Sequence, residues 1–212
     1  MCPLKEKTMR SLEKTARALE KNGFDVHLAS DPEEARGIAL SLIPKGATVG
    51  LGGSETVRET GLLEALREGE YDLKDQYEEG IDRAENMRRR RAGLTADFFV
   101  TGTNAVTEDG CLVNVDGIGN RVAALAFGPE RAIVVVGRNK LVPDVEAGFR
   151  RIREVAAPRN AVRFKQNTPC TKDGKCHDCN HPERICNIYQ VIRRVRLSGR
   201  ISVILVDADL GF

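Results

Sequence analysis

The sequence predicts an α/β fold built on an open, mostly parallel sheet of Rossmann-like form. Short apolar stretches of strand length alternate with stretches of helical period along the whole chain. Several strand candidates, such as AIVVVG at 132–137, are apolar throughout rather than at every second position. Strands buried on both faces read that way, which suits a parallel sheet covered by helices. Glycine-rich turns that follow strands and open helices complete the pattern.

The elements follow in order. Met9, Leu12, Ala16 and Leu19 recur at helical spacing, and Gly23 is the expected C-cap. Phe24 to Leu28 reads as a strand. Asp31-Pro32-Glu33-Glu34 then opens a helix with a cap, a proline at the first helical position and acids behind it. That helix stops before Pro44-Lys45-Gly46, and Ala47 to Leu51 is a buried strand. Further strands are expected at Asp97 to Thr101, Leu112 to Val115, Ile133 to Gly137 and Ile201 to Asp207. Helices are expected at about 55–69, 76–93, 121–127, 144–156 and 182–196. The segment AAPRNAVRFKQNTP, rich in turn formers, is expected to leave the main layer. The last helix has Ile185, Ile188, Tyr189, Ile192 and Val195 on one face.

Composition narrows the function classes. The 33 basic and 31 acidic residues nearly cancel among 212, so no global attraction to nucleic acid or to a membrane surface is encoded. Tryptophan is absent and aromatics are few, which disfavours a stacking platform for bases. No apolar run approaches the roughly twenty residues of a membrane span. The opening MCPLKEKTMR carries no apolar signal segment, so a cytoplasmic, reducing setting is expected.

Cys170, Cys176, Cys179 and Cys186 fall within seventeen residues as C-x5-C-x2-C-x6-C. Four thiolates so close in sequence can converge on one soft metal centre: zinc, copper(I) or an iron–sulfur cluster. Two disulfides or a redox switch are the alternative, disfavoured in a reducing compartment. The spacing matches neither the paired knots of zinc fingers nor the ferredoxin run, so spacing alone leaves the metal open. His177 and His181 read as neighbours of the centre rather than ligands. Cys186, placed in the first turns of the last helix, would pin the loop to the core.

Two glycine-punctuated regions supply a candidate ligand site. Gly52, Gly53, Ser54 and Thr56 lie where a strand turns into a helix; the glycines permit close backbone approach and Ser54 caps the helix. The run lacks both the dinucleotide fingerprint and the lysine of a phosphate-binding P-loop. Gly102, Asn104 and Asp109 lie in the second region, with Asn120 as the expected cap of the next helix. Arg121 beside it can meet a carboxylate or phosphate in bidentate fashion. Lys140, in a loop after a strand, is a further carboxylate ligand. Loops beyond the carboxyl ends of parallel strands form the ligand crevice, and these residues fall there. Arg88 to Arg91 read as a solvated helix end facing the helix dipole, with docking of an anionic partner as the alternative, and Cys111 reads as a small buried residue.

The runs VGLGGSET, TGTNAVTEDGCLVNVDGIGNRVAALAFGP, VVVGRNKLV and PC…GKCHDC…PERIC together resemble the LUD-domain family, whose members include LutC-type lactate utilization proteins. The resemblance covers roughly residues 45–212. It implies the fold shared by sugar-phosphate isomerases and CoA transferases, as a single domain over 1–212 with a metal loop at 165–187. It further implies a role in oxidising lactate or a similar 2-hydroxy acid, a small anionic metabolite as ligand, and iron–sulfur oxidoreductase partners. A [4Fe–4S] cluster on the four cysteines follows from the same resemblance, with zinc as the alternative. G-T-N-A-V-T-x-D-G also resembles methylthioribose-phosphate isomerases, but Asn104 stands where they carry an aspartate, and an amide is no base. Thr107-Glu108-Asp109-Gly110 resembles the glutamate loop of CoA transferases. That likeness makes Glu108 a candidate nucleophile in a transferase or ligase with a structural zinc; otherwise the sequence is an ordinary hairpin turn.

Overall fold

The computed structural model describes residues 3–212, with side chains from residue 10 onward; Cys2 and the side chain of Met9 lie outside the described residues. Helix α1 (Pro3–Lys21) leads to β1 (Asp25–Ala29), α2 (Pro32–Leu42) and β2 (Thr48–Leu51). Then come α3 (Glu55–Glu59), α4 (Leu62–Glu68), β3 (Asp72–Lys74), α5 (Arg83–Ala92) and β4 (Phe98–Gly102). A hairpin of β5 (Ala105–Thr107) and β6 (Leu112–Asp116) precedes α6 (Asn120–Ala126), β7 (Arg131–Gly137) and β8 (Leu141–Val142). The chain continues through α7 (Val145–Arg151), a π-helical turn (Ile152–Ala156), α8 (Ala157–Arg163) and α9 (Cys170–Asp173). It ends with β9 (Ile188–Ile192) and β10 (Ile201–Val206).

Six strands form one parallel sheet in the order β1-β10-β7-β4-β2-β3. Alternate side chains of each strand enter different cores. Val49, Leu51, Val100, Ile133, Val135 and Ile204 pack with α2, α3 and α4 on one face. Phe99, Val134, Val136, Val203 and Leu205 pack with Leu12 and Leu19 of α1 and Leu125 of α6 on the other. With both faces covered, the continuous apolar runs are explained. Among the described residues no helix is long and apolar enough to cross a membrane.

Local signals are realised where they are strongest. Asp31 caps α2, its carboxylate accepting from the Glu34 N–H at 2.9 Å, and the Ser30 N–H donates to the Glu34 carboxylate at 2.7 Å. The Asp31 cap and the Glu34 carboxylate together close the helix entry, in a variant of a capping box. The expected helix at 55–69 is two helices, broken where Gly61 takes a φ of 69°. The helix expected at 76–93 starts only at Arg83, capped by Asp82, whose carboxylate accepts from the Glu85 N–H at 2.7 Å.

A second, four-stranded sheet in the order β8-β5-β6-β9 was not foreseen. Two of its strands hold three residues or fewer, below the length at which periodicity speaks. The helix expected at 182–196 is not formed. Residues 181–187 are irregular, and Ile188–Ile192 pair antiparallel with β6, Gln190 opposite Asn114. The open edge of β6 captures a β-branched, aromatic segment whose entry is held by the Asn187 N–H donating to the Asp116 carbonyl at 2.9 Å.

The segment expected to leave the layer at 157 is helical as far as Arg163. Pro158 lacks an N–H and its ring crowds the carbonyl four residues back. The preceding turn widens to accommodate it, and the Ala157 N–H reaches the Ile152 carbonyl, a π-type bond. This helix covers the outer face of the small sheet, where Ala105, Val113, Val115, Ile152 and Ala157 form a third core.

The hairpin turn between β5 and β6 seats on α1. Gly110 has a φ of 83°, and a Cβ there would stand 2.6 Å from the Ala18 carbonyl carbon, a backbone atom. Gly110→Ala is therefore expected to cost about 2–4 kcal/mol through strain and backbone displacement. A urea titration would show this as a lowered midpoint, and an unchanged midpoint would contradict this seating.

Candidate functional site

At the carboxyl ends of β2 and β4 the chain opens a cavity of about 240 Å³, bounded by Gly53, Tyr77, Arg90, Asn104, Arg121 and Arg163 among others. The turn after β2 lies flat against the end of β4. A Cβ on Gly52 would meet the Thr101 hydroxyl at 2.4 Å, and one on Gly102 would meet the Ser54 hydroxyl at 2.5 Å. A Cβ on Gly53 would meet the Tyr77 hydroxyl at 2.7 Å. The glycines are thus fixed by close approach. Ser54 does cap α3, accepting from the Val57 N–H at 3.2 Å. That helix has five residues, so its dipole is short. Thr56 is turned away from the cavity, its hydroxyl donating to the Leu210 carbonyl at 3.3 Å.

Arg121 is no free anion-binding fork. It is buried, and all its N–H groups meet protein acceptors. Nη1 donates to the Gly102 carbonyl at 3.1 Å and to Asn114 Oδ1 at 2.8 Å. Nη2 donates to Asn104 Oδ1 at 2.9 Å and to the Val115 carbonyl at 2.6 Å, while Nε faces Asp116 at 3.4 Å. Asn120 is not the helix cap: Gly119, at a φ of 91°, holds that position. Asn120 instead accepts a long 3.5 Å bond from Arg90. Asn104 is buried with its Oδ1 also taking the Val115 N–H at 2.9 Å, which leaves its amide nitrogen for the cavity.

The free donors are residues the sequence did not single out. Arg90, from the arginine run read as solvated, lines the cavity and has no ion-pair partner among the described residues; Nε donates to Asn86 Oδ1 at 2.7 Å. Its neighbour Arg89 is tied to Glu85 at 2.7 Å and to Glu78. Arg163 stacks over the Phe164 ring at 4.4 Å and donates to Glu55 at 3.1 Å, yet its Nε is buried without a partner. The Tyr77 hydroxyl accepts from Gln76 Nε2 at 2.8 Å, and burial raises its pKa, so it remains a neutral donor. Asn160 completes this wall.

Lys140 sits at the deep end of the crevice with Gly53, Ser54, Gly102, Asn104 and Arg121. It is buried, and its Nζ donates to the Thr56 hydroxyl at 2.6 Å. Burial first, then the positive charges of Arg151 and Arg121, lower its pKa to about 7. The lysine is therefore a weaker carboxylate ligand than an exposed ammonium.

Glu108 and Asp109 are not brought to the crevice. They form the β5–β6 turn at the other end of those strands, where Lys14 of α1 pairs with Glu108 at 2.6 Å. Asp109 accepts from the Thr107 hydroxyl.

The four late cysteines line one cavity, of about 20 Å³, and none is in a disulfide. The Asp178 N–H points at Cys176 Sγ at 3.4 Å, and the Thr168 hydroxyl lies 3.2 Å from Cys170 Sγ. Arg184 gathers the loop, Nη1 donating to the Cys179 carbonyl at 2.5 Å and Nε to the Cys186 carbonyl at 3.1 Å. Cys186 lies just before β9, not in a helix, and packs on the third core beside Val191. His177 pairs with Asp173 at 2.9 Å, and His181 Nδ1 accepts from the Glu183 N–H at 3.2 Å. Among the described residues no three His, Cys, Asp or Glu side chains stand close enough to share one metal ion. Ala157 and Ile185 belong to both this cavity and the crevice, so the two share a wall.

The model of the LUD domain matches residues 12–206. No curated protein matches the chain. A crystal structure of a DUF162 family protein from Deinococcus radiodurans is similar at 16% identity, over 94% of this chain and 98% of that one, with a TM-score of 0.51. That likeness shows the fold: an α/β unit with a mostly parallel six-stranded sheet. eIF2B delta from Chaetomium thermophilum is similar over 50% of this chain and 46% of its own, at 22% identity and a TM-score of 0.34.

Lys140 gives the site a pH signature. Its amine binds a proton near pH 7 in the fold but at an ordinary 10.5 when exposed. Between those values the unfolded chain holds more protons, so this residue's contribution makes stability rise with pH and fall again as pH drops toward 7. Lys140→Met is expected to remove that rise, worth on the order of a few kcal/mol. Urea unfolding of both proteins at about pH 7 and about pH 9 checks it, and parallel pH dependences would refute the assignment.

Proposed function

The chain belongs to the LUD domain family, and on that premise we propose that it acts as a LutC-like component of a system oxidising lactate or a similar 2-hydroxy acid. In this reading the four late cysteines hold a [4Fe–4S] cluster and the cationic crevice beside it takes the small carboxylate. The shared wall of Ala157 and Ile185 carries the reading, because it sets a soft thiol quartet directly against an anion-receptive cavity.

The donor chemistry suits such a group: four uncrosslinked thiols line one cavity. Thiolates are the ligands that both zinc and iron–sulfur clusters take, and the preference for the cluster rests on the family. When bound, such a cluster supplies one-electron transfer.

The chain's own residues do the rest. Arg90, the Tyr77 hydroxyl and the Arg163 guanidinium line the cavity as donors for a carboxylate. Arg121 keeps Asn104 oriented, and Ala156 and Ala157 keep the wall thin. Iron–sulfur oxidoreductases are the partners this reading calls for, in a reducing cytoplasm.

Anaerobic purification is expected to give a brown protein with about four irons and four sulfides per chain. Cys179→Ser should lower the iron content, and stoichiometric zinc without iron would overturn the cluster. Arg90→Ala is expected to weaken binding of 2-hydroxy and 2-oxo acids roughly 10–100-fold, the worth of a charge-assisted hydrogen bond. Calorimetric titration reads this, and unchanged affinity would place the carboxylate elsewhere.

A further inference from the structure

A second cavity, of about 320 Å³, adjoins the crevice and shares Tyr77, Arg163 and Phe164 with it. Its lining adds three aliphatic side chains to polar and shared residues. Leu51, Val57 and Leu63 contribute buried apolar side chains. The cations that reach it all have a carboxylate partner: Arg58 and the shared Arg163 with Glu55 at 3.0 and 3.1 Å, Arg67 with Asp75 at 2.7 Å. Glu64, exposed at the rim, has no ion-pair partner among the described residues and repels a second anionic group. The crevice therefore adds Arg90, unpaired among the described residues, whereas its neighbour adds the apolar contacts of Leu51, Val57 and Leu63.

We propose that the ligand is a 2-hydroxy or 2-oxo acid with a branched aliphatic or aromatic side chain. Its carboxylate is held in the crevice by Arg90 and Tyr77, and its side chain lodges between Leu51, Val57 and Leu63. The inference rests on the carboxylate-binding reading above and adds the identity of the rest of the molecule. A methyl group, as in lactate, leaves most of the second cavity to water, since each water takes about 30 Å³ of liquid volume. Pockets of this kind bury most of a ligand's surface against apolar walls, with a few polar groups fixing its direction. A tail with phosphates meets Glu64 and finds no free cation, which argues against a nucleotide or a coenzyme thioester.

Phe164 forms the lip between the two cavities, 43% exposed and stacked beneath the Arg163 guanidinium. A side chain passing from one cavity to the other crosses this ring, which makes Phe164 a specificity-determining residue rather than a catalytic one.

The test is calorimetric titration of the intact, metal-loaded protein with lactate, 2-hydroxyisocaproate and 3-phenyllactate. Affinity is expected to rise by roughly fourfold for each methylene buried, with phenyllactate at least about tenfold tighter than lactate. Phe164→Ala is expected to shrink the phenyllactate advantage at least about threefold. Equal affinities for the three acids would overturn the side-chain assignment and leave the carboxylate site standing. An advantage untouched by Phe164→Ala would overturn it too, because the side chain would then lie elsewhere. Binding of none of the acids by iron-loaded protein would overturn the carboxylate reading itself.

Discussion

The guanidinium of Arg121 is the constraint on which the crevice depends. Its acceptors come from the end of β4, from the β4–β5 turn and from three successive residues of β6. A planar fork with five donors can serve all of these at once, whereas a lysine ammonium has three donors on a flexible stem. The bolt joins the large parallel sheet to the small one at the point where the cavity opens. A buried charge so fully engaged is costly to disturb, since removing one partner leaves the rest desolvated. The residue most suggestive of anion binding in the sequence thus frames the site, and Arg90, Tyr77 and Arg163 are the donors that line it.

This division explains how a chain with almost no net charge keeps a cationic pocket. Several arginines outside the crevice are tied up: Arg58, Arg67, Arg89 and Arg138 each have a carboxylate within 3.0 Å. Exposed pairs of this kind contribute little to stability, but they remove cations from competition for a ligand. Around the crevice the balance tips, because Asp116 faces Arg121 and Arg90 has no carboxylate partner among the described residues. A local excess of donors, not the global charge, makes the crevice cationic.

What could be read from the sequence was local. The Asp31 cap, the continuous apolar strands and the glycine turns each carry their cause within a few residues, so the parallel sheet and the crevice loops were legible. The small sheet was not. β5 and β8 are too short to show a period, and Ile188 and Ile192 fit helical spacing with Ile185 while β6 recruited Ile188–Ile192 as a strand. Nothing in the run Arg88 to Arg91 tells which guanidinium turns inward; that is decided by Asn86 and Asn120, one turn and one helix away. Asn120 lost its cap because glycine alone enters the left-handed region without strain at position 119. The cysteine quartet was legible as a group, but its attachment to the core through the β6–β9 pairing was not.

Pro158 links these parts. A proline inside a helix displaces the bond its N–H would make and crowds the carbonyl behind it. Here the turn over Ile152–Ala156 widens in response, and such π-turns recur at functional sites because they re-aim neighbouring residues. Ala156 faces the crevice, Ala157 faces both cavities, and Pro158 faces the cysteines. One turn of chain therefore separates the carboxylate pocket from the thiol quartet, and its residues there are small. A larger side chain at Ala157 would thicken that wall and press on Ile152 and Val113 in the third core. The proline, the wide turn and the two alanines make one device, and what they set is the distance across which the two cavities act on each other.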